Sequence, residues 1–296
     1  MSARLSDDLI ADLVDAGSRE HYSDAALYDY EYRRRRADVQ FYRELAKMRL
    51  PDGGRILELG AGSGRVTIAL ARAGYEVVAL DTSKPMLDKL RGRVAALPKA
   101  VARRITVVQG DLRDFDVGET FPLVIAVFNV LEHLYTRVEV DACLRRVAAH
   151  LTQAKKSREG GGAFAFDVQM PDLAWLLRDS TKRWAKTRFT DPTTGRAMFY
   201  STNHDYDPVG QIALIRLYYE PVDGKGPSRI VKLSQRKFFP AELEGLVAHA
   251  GLRMVERYGD FGWRSLDGSA ESQVLVCEHA ISRRENAVSR RGFRRG

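Results

Sequence analysis

The chain has 296 residues, 45% of them apolar, and a formal net charge of +8. That length and apolar share permit a sizeable core and exclude a disordered chain. No run approaches the roughly 18 consecutive apolar residues of a spanning helix. The opening MSARLSDDLIADLVDAG is too acidic and interrupted for a signal peptide, so a cytoplasmic protein without membrane contact is expected.

The first 50 residues carry apolar and aromatic side chains at helical spacing, ending in DVQFYRELAKM, and read as a helical cover over residues 1–50. Residues 51–169 alternate short β-branched runs with amphipathic stretches. RILELG is followed by a helix over 64–73, YEVVALD by a helix near 84–96, then come RITVVQGD, FPLVIAVFNV, a helix near 137–151 and GAFAFDVQ. Strands alternating with helices imply right-handed crossovers and a doubly wound, mostly parallel sheet. Cys143 and Cys277 lie in no CxxC or Cys/His spacing, so neither a disulfide framework nor a metal site is expected.

The rhythm changes over 170–239. MFYSTNHDY, QIALIRLYYE and SRIVKLSQRKFF are strand-like and separated by DPVG and PVDGKGP, which reads as an inserted antiparallel lid. From 240 to 280 the α/β pattern resumes with PAELEGLVAHAG as a helix, then GLRMVERYGDF and ESQVLVCEHA as strands, seven in all for the main sheet. Residues 281–296 hold six arginines and one glutamate, +5 of the total +8, leaving +3 for the rest. A short basic terminus reads first as a solvated end, so nucleic acid is not the expected partner.

The chemistry is carried by ILELGAGSG at 56–64, three glycines at alternate positions directly after a strand. Such a turn lets the backbone approach a ligand at the sheet's switch point, with the next helix presenting its free N–H groups. The dinucleotide pattern G-x-G-x-x-G needs glycine at 65, where Arg65 stands, and the phosphate loop G-x-x-x-x-G-K-[ST] is missing. Asp81 closes the second strand, where a carboxylate accepts from a ribose diol. Asp111 follows the third strand, placed to accept from an adenine amino group while the Leu112 N–H meets a ring nitrogen, with Met86 as an apolar floor.

ELGAGSG (58–64), ALD (79–81), QGDL (109–112) and FNVLEHL (128–134), in that order and spacing, resemble the class I S-adenosylmethionine-dependent methyltransferases over about residues 20–280. The resemblance implies the Rossmann-like methyltransferase fold, with S-adenosylmethionine as cofactor and S-adenosylhomocysteine as product. It implies that Glu58 and the turn Gly60, Ala61, Gly62, Gly64 follow the methionine portion, Asp81 the ribose, Asp111 and Leu112 the adenine, and Asn129 the methyl-facing end, with Thr82 also counted among the cofactor-binding residues. HYSDAALYDYEYRRRRADVQFY resembles the cover of glycine N-methyltransferases, which implies Arg36 on the cofactor carboxylate and Tyr22 or Tyr28 near the sulfonium. A guanidinium fork suits a carboxylate better than an ammonium does.

Methyl transfer from a sulfonium is an in-line displacement, so the protein aligns the acceptor, excludes water and removes a proton where needed. Candidate bases are His133, His204 and, behind them, Tyr200, Tyr206 and Asp167. The lid is expected to choose the acceptor, with Tyr200, His204 and Tyr206 facing it. The function read here is methylation of N or O on a small metabolite. RNA or protein methylation is the alternative, against which stands Asn129-Val130-Leu131-Glu132 in place of [ND]-P-P-[YF]; a non-catalytic cofactor-binding protein is a third reading. Neither the acceptor nor the oligomeric state is legible.

Overall fold

The computed structural model describes residues 6–153 and 161–280; the Arg-rich tail lies outside them. In chain order the elements are α1 (Asp7–Arg19), α2 (Ala25–Glu31), α3 (Ala37–Arg49), β1 (Arg55–Leu59), α4 (Arg65–Arg72), β2 (Glu76–Asp81), α5 (Lys84–Ala95), α6 (Lys99–Ala102), β3 (Ile105–Gln109), β4 (Leu123–Ala126) and α7 (Arg137–His150). They continue as β5 (Ala163–Gln169), α8 (Leu173–Leu176), β6 (Trp184–Thr190), β7 (Ala197–Asp207), β8 (Ile212–Pro221), β9 (Arg229–Arg236), α9 (Pro240–His249), β10 (Leu252–Tyr258) and β11 (Ser272–His279).

Seven strands form one sheet in the order β10-β11-β5-β4-β1-β2-β3. Strands β1 to β5 run parallel, β11 lies antiparallel beside β5, and β10, antiparallel to β11, takes the direction of β5 again. The alternation of β1 explains its burial on both faces. Leu57 and Leu59 join the cluster built with Val140, Leu144 and Val147 of α7, while Ile56 joins Phe41, Tyr42 and Leu45 of α3 and Val66 and Leu70 of α4. Connections from β1 run towards β2 on one side and β4 on the other, so the crevice for a ligand opens beyond the carboxyl ends of β1 and β4.

The insertion is a separate antiparallel sheet of four strands, β6-β7-β8-β9, one more than the pattern predicts. Strand β6 escapes sequence reading because five of its seven residues are exposed and none is buried; it is an exposed edge. The inward face of this lid, with Ala213, Ile215, Leu217 and Tyr219, packs on Leu27 of α2. Cover and lid therefore share a core.

Helix α1 crosses the lid strand β9 at close quarters. A Cβ built on Gly17 would sit 2.5 Å from the Ser234 backbone nitrogen, which cannot move aside. In an exposed helix Gly→Ala stabilises by about 1 kcal/mol. Here Gly17→Ala is expected to reverse that sign and cost about 1–3 kcal/mol through overpacking. Denaturant unfolding decides it, and a rise in the midpoint would contradict the contact.

Candidate active site

The turn after β1 takes left-handed backbone at Gly60, Gly62 and Gly64, with φ of 69°, 54° and 87°. Gly60 has no room for a side chain, because its Cβ would meet the Val130 side chain of the loop after β4. Gly62 differs: a Cβ there meets nothing within 4 Å, so open space lies over the turn where a ligand would rest. Helix α4 starts immediately afterwards, with no side-chain cap on its first N–H groups. Ala61 is buried beneath, against Ala79, Leu87 and Leu90.

The acids divide by environment. The two oxygens of Asp81 accept separately from Gly62 N–H at 2.7 Å and Ser83 N–H at 2.8 Å, which leaves each a lone pair. Burial raises the Asp81 carboxyl pKa against those backbone bonds. Glu58 lies under the turn, accepts from Thr67 Oγ1 at 2.6 Å, and is pushed by burial up to about 7. Asp111 is engaged: both its oxygens take the Arg113 guanidinium, at 2.9 and 2.6 Å, which holds its carboxyl below the usual range. Leu112 packs against the core, Met86 is buried at the start of α5, and Thr82 is exposed, its carbonyl accepting from Gln109.

The loop after β4 places two non-glycine residues in left-handed backbone, Phe128 at φ 73° and Asn129 at φ 61°. Asp167 of β5 holds them there. Its carboxylate accepts from Phe128 N–H at 2.9 Å, Asn129 N–H at 3.1 Å and Tyr42 Oη–H at 2.8 Å, and burial pushes it up to about 6. With Phe128 N–H shared by both oxygens, three donors make four contacts to its four lone pairs, and Asp167 is a backbone clamp. Nothing in the spacing of DVQ announces that role; its partners lie 38 to 125 residues away.

The cover lies on this loop. Tyr32 meets the Phe128 ring edge-on with centroids 4.7 Å apart, and Tyr28 and Tyr22 continue the cluster. Asp29 of α2 latches it to the glycine turn, accepting from Ser63 Oγ at 2.5 Å and from Arg93 of α5 at 2.8 Å. Within the run of four arginines, Arg36 precedes α3, is exposed, and lines an outer groove with Arg33, Arg43 and Lys47. Arg35 lines the same groove but is less exposed, its guanidinium 4.4 Å from the Phe128 centroid and 3.1 Å from the Asp38 carboxylate. Arg65 grips the same carboxylate with two bonds of 2.7 Å. Burial alone would push Asp38 up; the Arg65 fork outweighs it and holds the carboxyl low.

His133 sits on the 3-10 turn Val130–His133 and joins cover to lid. Its Nε2 is 2.6 Å from Tyr22 Oη, and its Nδ1 is 3.2 Å from Tyr135 Oη, which reaches Ser234 Oγ of β9 at 2.7 Å. Burial lowers the imidazole pKa to about 3, so the ring is neutral. His204 is held elsewhere. It stacks on Trp175 with centroids 3.8 Å apart and donates from Nε2 to the Trp175 carbonyl at 2.9 Å. Tyr200 and Tyr206 share its strand face and pack into the cover–lid core. Thus Tyr22, Tyr28, His133, Asn129 and the glycine turn come together, whereas Arg36 and His204 stand apart from them.

Comparison with known proteins agrees with this fold. The family model described as a methyltransferase domain matches residues 56–154. The CcbJ methyltransferase of Streptomyces caelestis is 30% identical, with 83% of this chain and 94% of that one covered at a TM-score of 0.66. Among curated proteins, a cypemycin N-terminal methyltransferase from a Streptomyces species is 38% identical over 113 residues, 38% of this chain and 41% of that protein. A dTDP-3-amino-3,6-dideoxy-alpha-D-glucopyranose N,N-dimethyltransferase of Streptomyces fradiae is 33% identical over 46% of this chain and 52% of its own length. In these two matches the chain spans about half the length of the curated relative.

Proposed function

The chain belongs to the class I S-adenosylmethionine-dependent methyltransferases, and we propose that it transfers the methyl group to a nitrogen of a small organic acceptor held between cover and lid. Bound in the crevice, the cofactor supplies an electrophilic methyl on sulfur. The residues present suit it: open space over Gly62, lone pairs on Asp81, and the buried Glu58 below the turn. Arg35, over the Phe128 ring, is the arginine this reading assigns to the cofactor carboxylate, with Arg36 in the same groove as the second candidate.

The observation that carries the choice of nitrogen is the 2.6 Å bond between Tyr22 and a buried, neutral His133. A hydroxyl acceptor needs a base to strip its proton in the transition state. An imidazole held well below its ordinary basicity serves that poorly. An amine already carries a lone pair when neutral, so it requires only orientation and exclusion of water. The names of two curated relatives, one an N-terminal methyltransferase of cypemycin and one an N,N-dimethyltransferase of a dTDP-3-amino sugar, support the same choice. No described helix is long and apolar enough to cross a membrane, and a cytoplasmic setting, where the cofactor is made available, belongs to this proposal, as does the absence of a nucleic-acid substrate.

The test is transfer of radiolabelled methyl to matched pairs of small amines and alcohols, with RNA and protein as further acceptors. Label entering amines, and a roughly tenfold to hundredfold loss of kcat in Tyr22→Phe from misorientation, are expected. Label entering only alcohols, RNA or protein would overturn the proposal.

A further inference from the structure

The hydrogen-bonded chain through Tyr22, His133, Tyr135 and Ser234 has a direction, and it is set at the far end. Ser234 is fully buried on β9, with its Oγ 3.0 Å from the carbonyl oxygen of Val14 in α1. A carbonyl only accepts, so the serine proton is committed there. Tyr135 Oη lies 2.7 Å from Ser234 Oγ and 3.2 Å from the Ser234 carbonyl, and both can now only accept. The Tyr135 proton therefore points at Ser234. Its oxygen is left with lone pairs for His133 Nδ1 at 3.2 Å, so Nδ1 carries the imidazole proton. In a neutral ring Nε2 is then bare, and Tyr22 donates to it across 2.6 Å.

We propose that Tyr135 and Ser234 are positioning residues that hold His133 as the Nδ1-protonated tautomer and thereby make the Tyr22 oxygen an acceptor-only group. The inference rests on the reading of the cleft between cover and lid as an N-methylation site and deepens it. With its proton spent on His133, Tyr22 accepts an N–H of the amine and leaves the nitrogen lone pair for the methyl. The opposite tautomer would place an Nε2–H against Tyr22, turn its hydroxyl proton towards the acceptor, and occupy the lone pair that must attack. Helix α1 takes part through Val14, and its close seating at Gly17 is what brings that carbonyl onto Ser234.

The experiment is long-range nitrogen–proton NMR of the full chain labelled at histidine nitrogens, with His133 identified by the signal lost in His133→Gln. Wild type is expected to show a neutral His133 protonated at Nδ1. Tyr135→Phe removes the acceptor for that proton, so at least half the molecules should move it to Nε2, with kcat down about tenfold and the cofactor dissociation constant unchanged. Ser234→Ala removes the nearer acceptor of the Tyr135 proton at 2.7 Å and leaves only the carbonyl at 3.2 Å, so part of the ring should shift to Nε2 with a smaller loss of kcat than in Tyr135→Phe, and a Ser234→Ala ring and kcat equal to wild type would remove Ser234 from the proposal. A wild-type ring protonated at Nε2 or at both nitrogens, or a Tyr135→Phe ring still fully Nδ1-protonated, overturns the proposal. A wild-type chain that does not bind S-adenosylmethionine overturns instead the reading of the cleft, and the tautomer is read independently of it.

Discussion

Lys237→Met should cost about 3–5 kcal/mol of folding stability, the penalty of leaving one partner of a buried ion pair alone. Lys237 follows β9 and is 2% exposed at its side chain; its Nζ lies 2.7 Å from Glu132 Oε2, and Glu132 is fully buried. The second oxygen of Glu132 accepts the Gln169 N–H at 2.7 Å, and Gln235 accepts from Lys237 at 3.0 Å. Burial raises the Glu132 carboxyl pKa and the lysine works against it. Removing the ammonium strands the carboxylate, which then protonates or drags water inward. The thermal midpoint should fall on the order of 10 °C, and Glu132→Gln in the same chain should recover part of the loss. A Lys237→Met midpoint within 2 °C of wild type would refute the pair's role. Because Glu132 sits between Asn129 and His133, lost stability should come with lost activity.

That pair also marks how far the sequence alone could be read. The seven-stranded sheet was legible because its strands are apolar on both faces and its turn glycines fall at strand ends, where ELGAGSG and ALD locate the crevice. Side-chain partners brought together by folding carry no such signal: Lys237 meets Glu132 across 105 positions and Tyr22 meets His133 across 111. The arginine run shows the limit most sharply. Four identical residues in YRRRRAD look equivalent, and only the start of α3 at Ala37 decides that Arg35 reaches Phe128 and Asp38 from the outer groove that Arg36 also lines. Asp111 was legible as a strand-end acid, but its neighbour Arg113 folds back onto it, a choice of rotamer that spacing does not encode.

The contrast between Asp81 and Asp111 gives the largest expected effect on binding. Asp81 offers one unspent lone pair on each oxygen, and two charge-assisted bonds to a diol at about 1.5–3 kcal/mol each make roughly a hundredfold or greater rise in Kd for Asp81→Ala. Both oxygens already hold backbone N–H groups, so the alanine variant also releases Gly62 and Ser83 and loosens the turn itself. Asp81→Asn is no repair. Its amide nitrogen would face one of those N–H donors, so Kd should rise nearly as far as in alanine. Asp111→Ala, by comparison, removes a carboxylate whose charge Arg113 already neutralises, and the freed guanidinium keeps its bond to Glu139 at 2.8 Å. Its effect should stay below about tenfold, since a half-exposed, salt-bridged acid has little differential energy left for a ligand. Calorimetric titration with S-adenosylmethionine ranks the three variants directly. Equal losses for Asp81→Ala and Asp111→Ala would mean that Arg113 swings away when the cofactor binds, and an Asp81→Ala affinity equal to wild type would remove the crevice beyond β1 as the cofactor site.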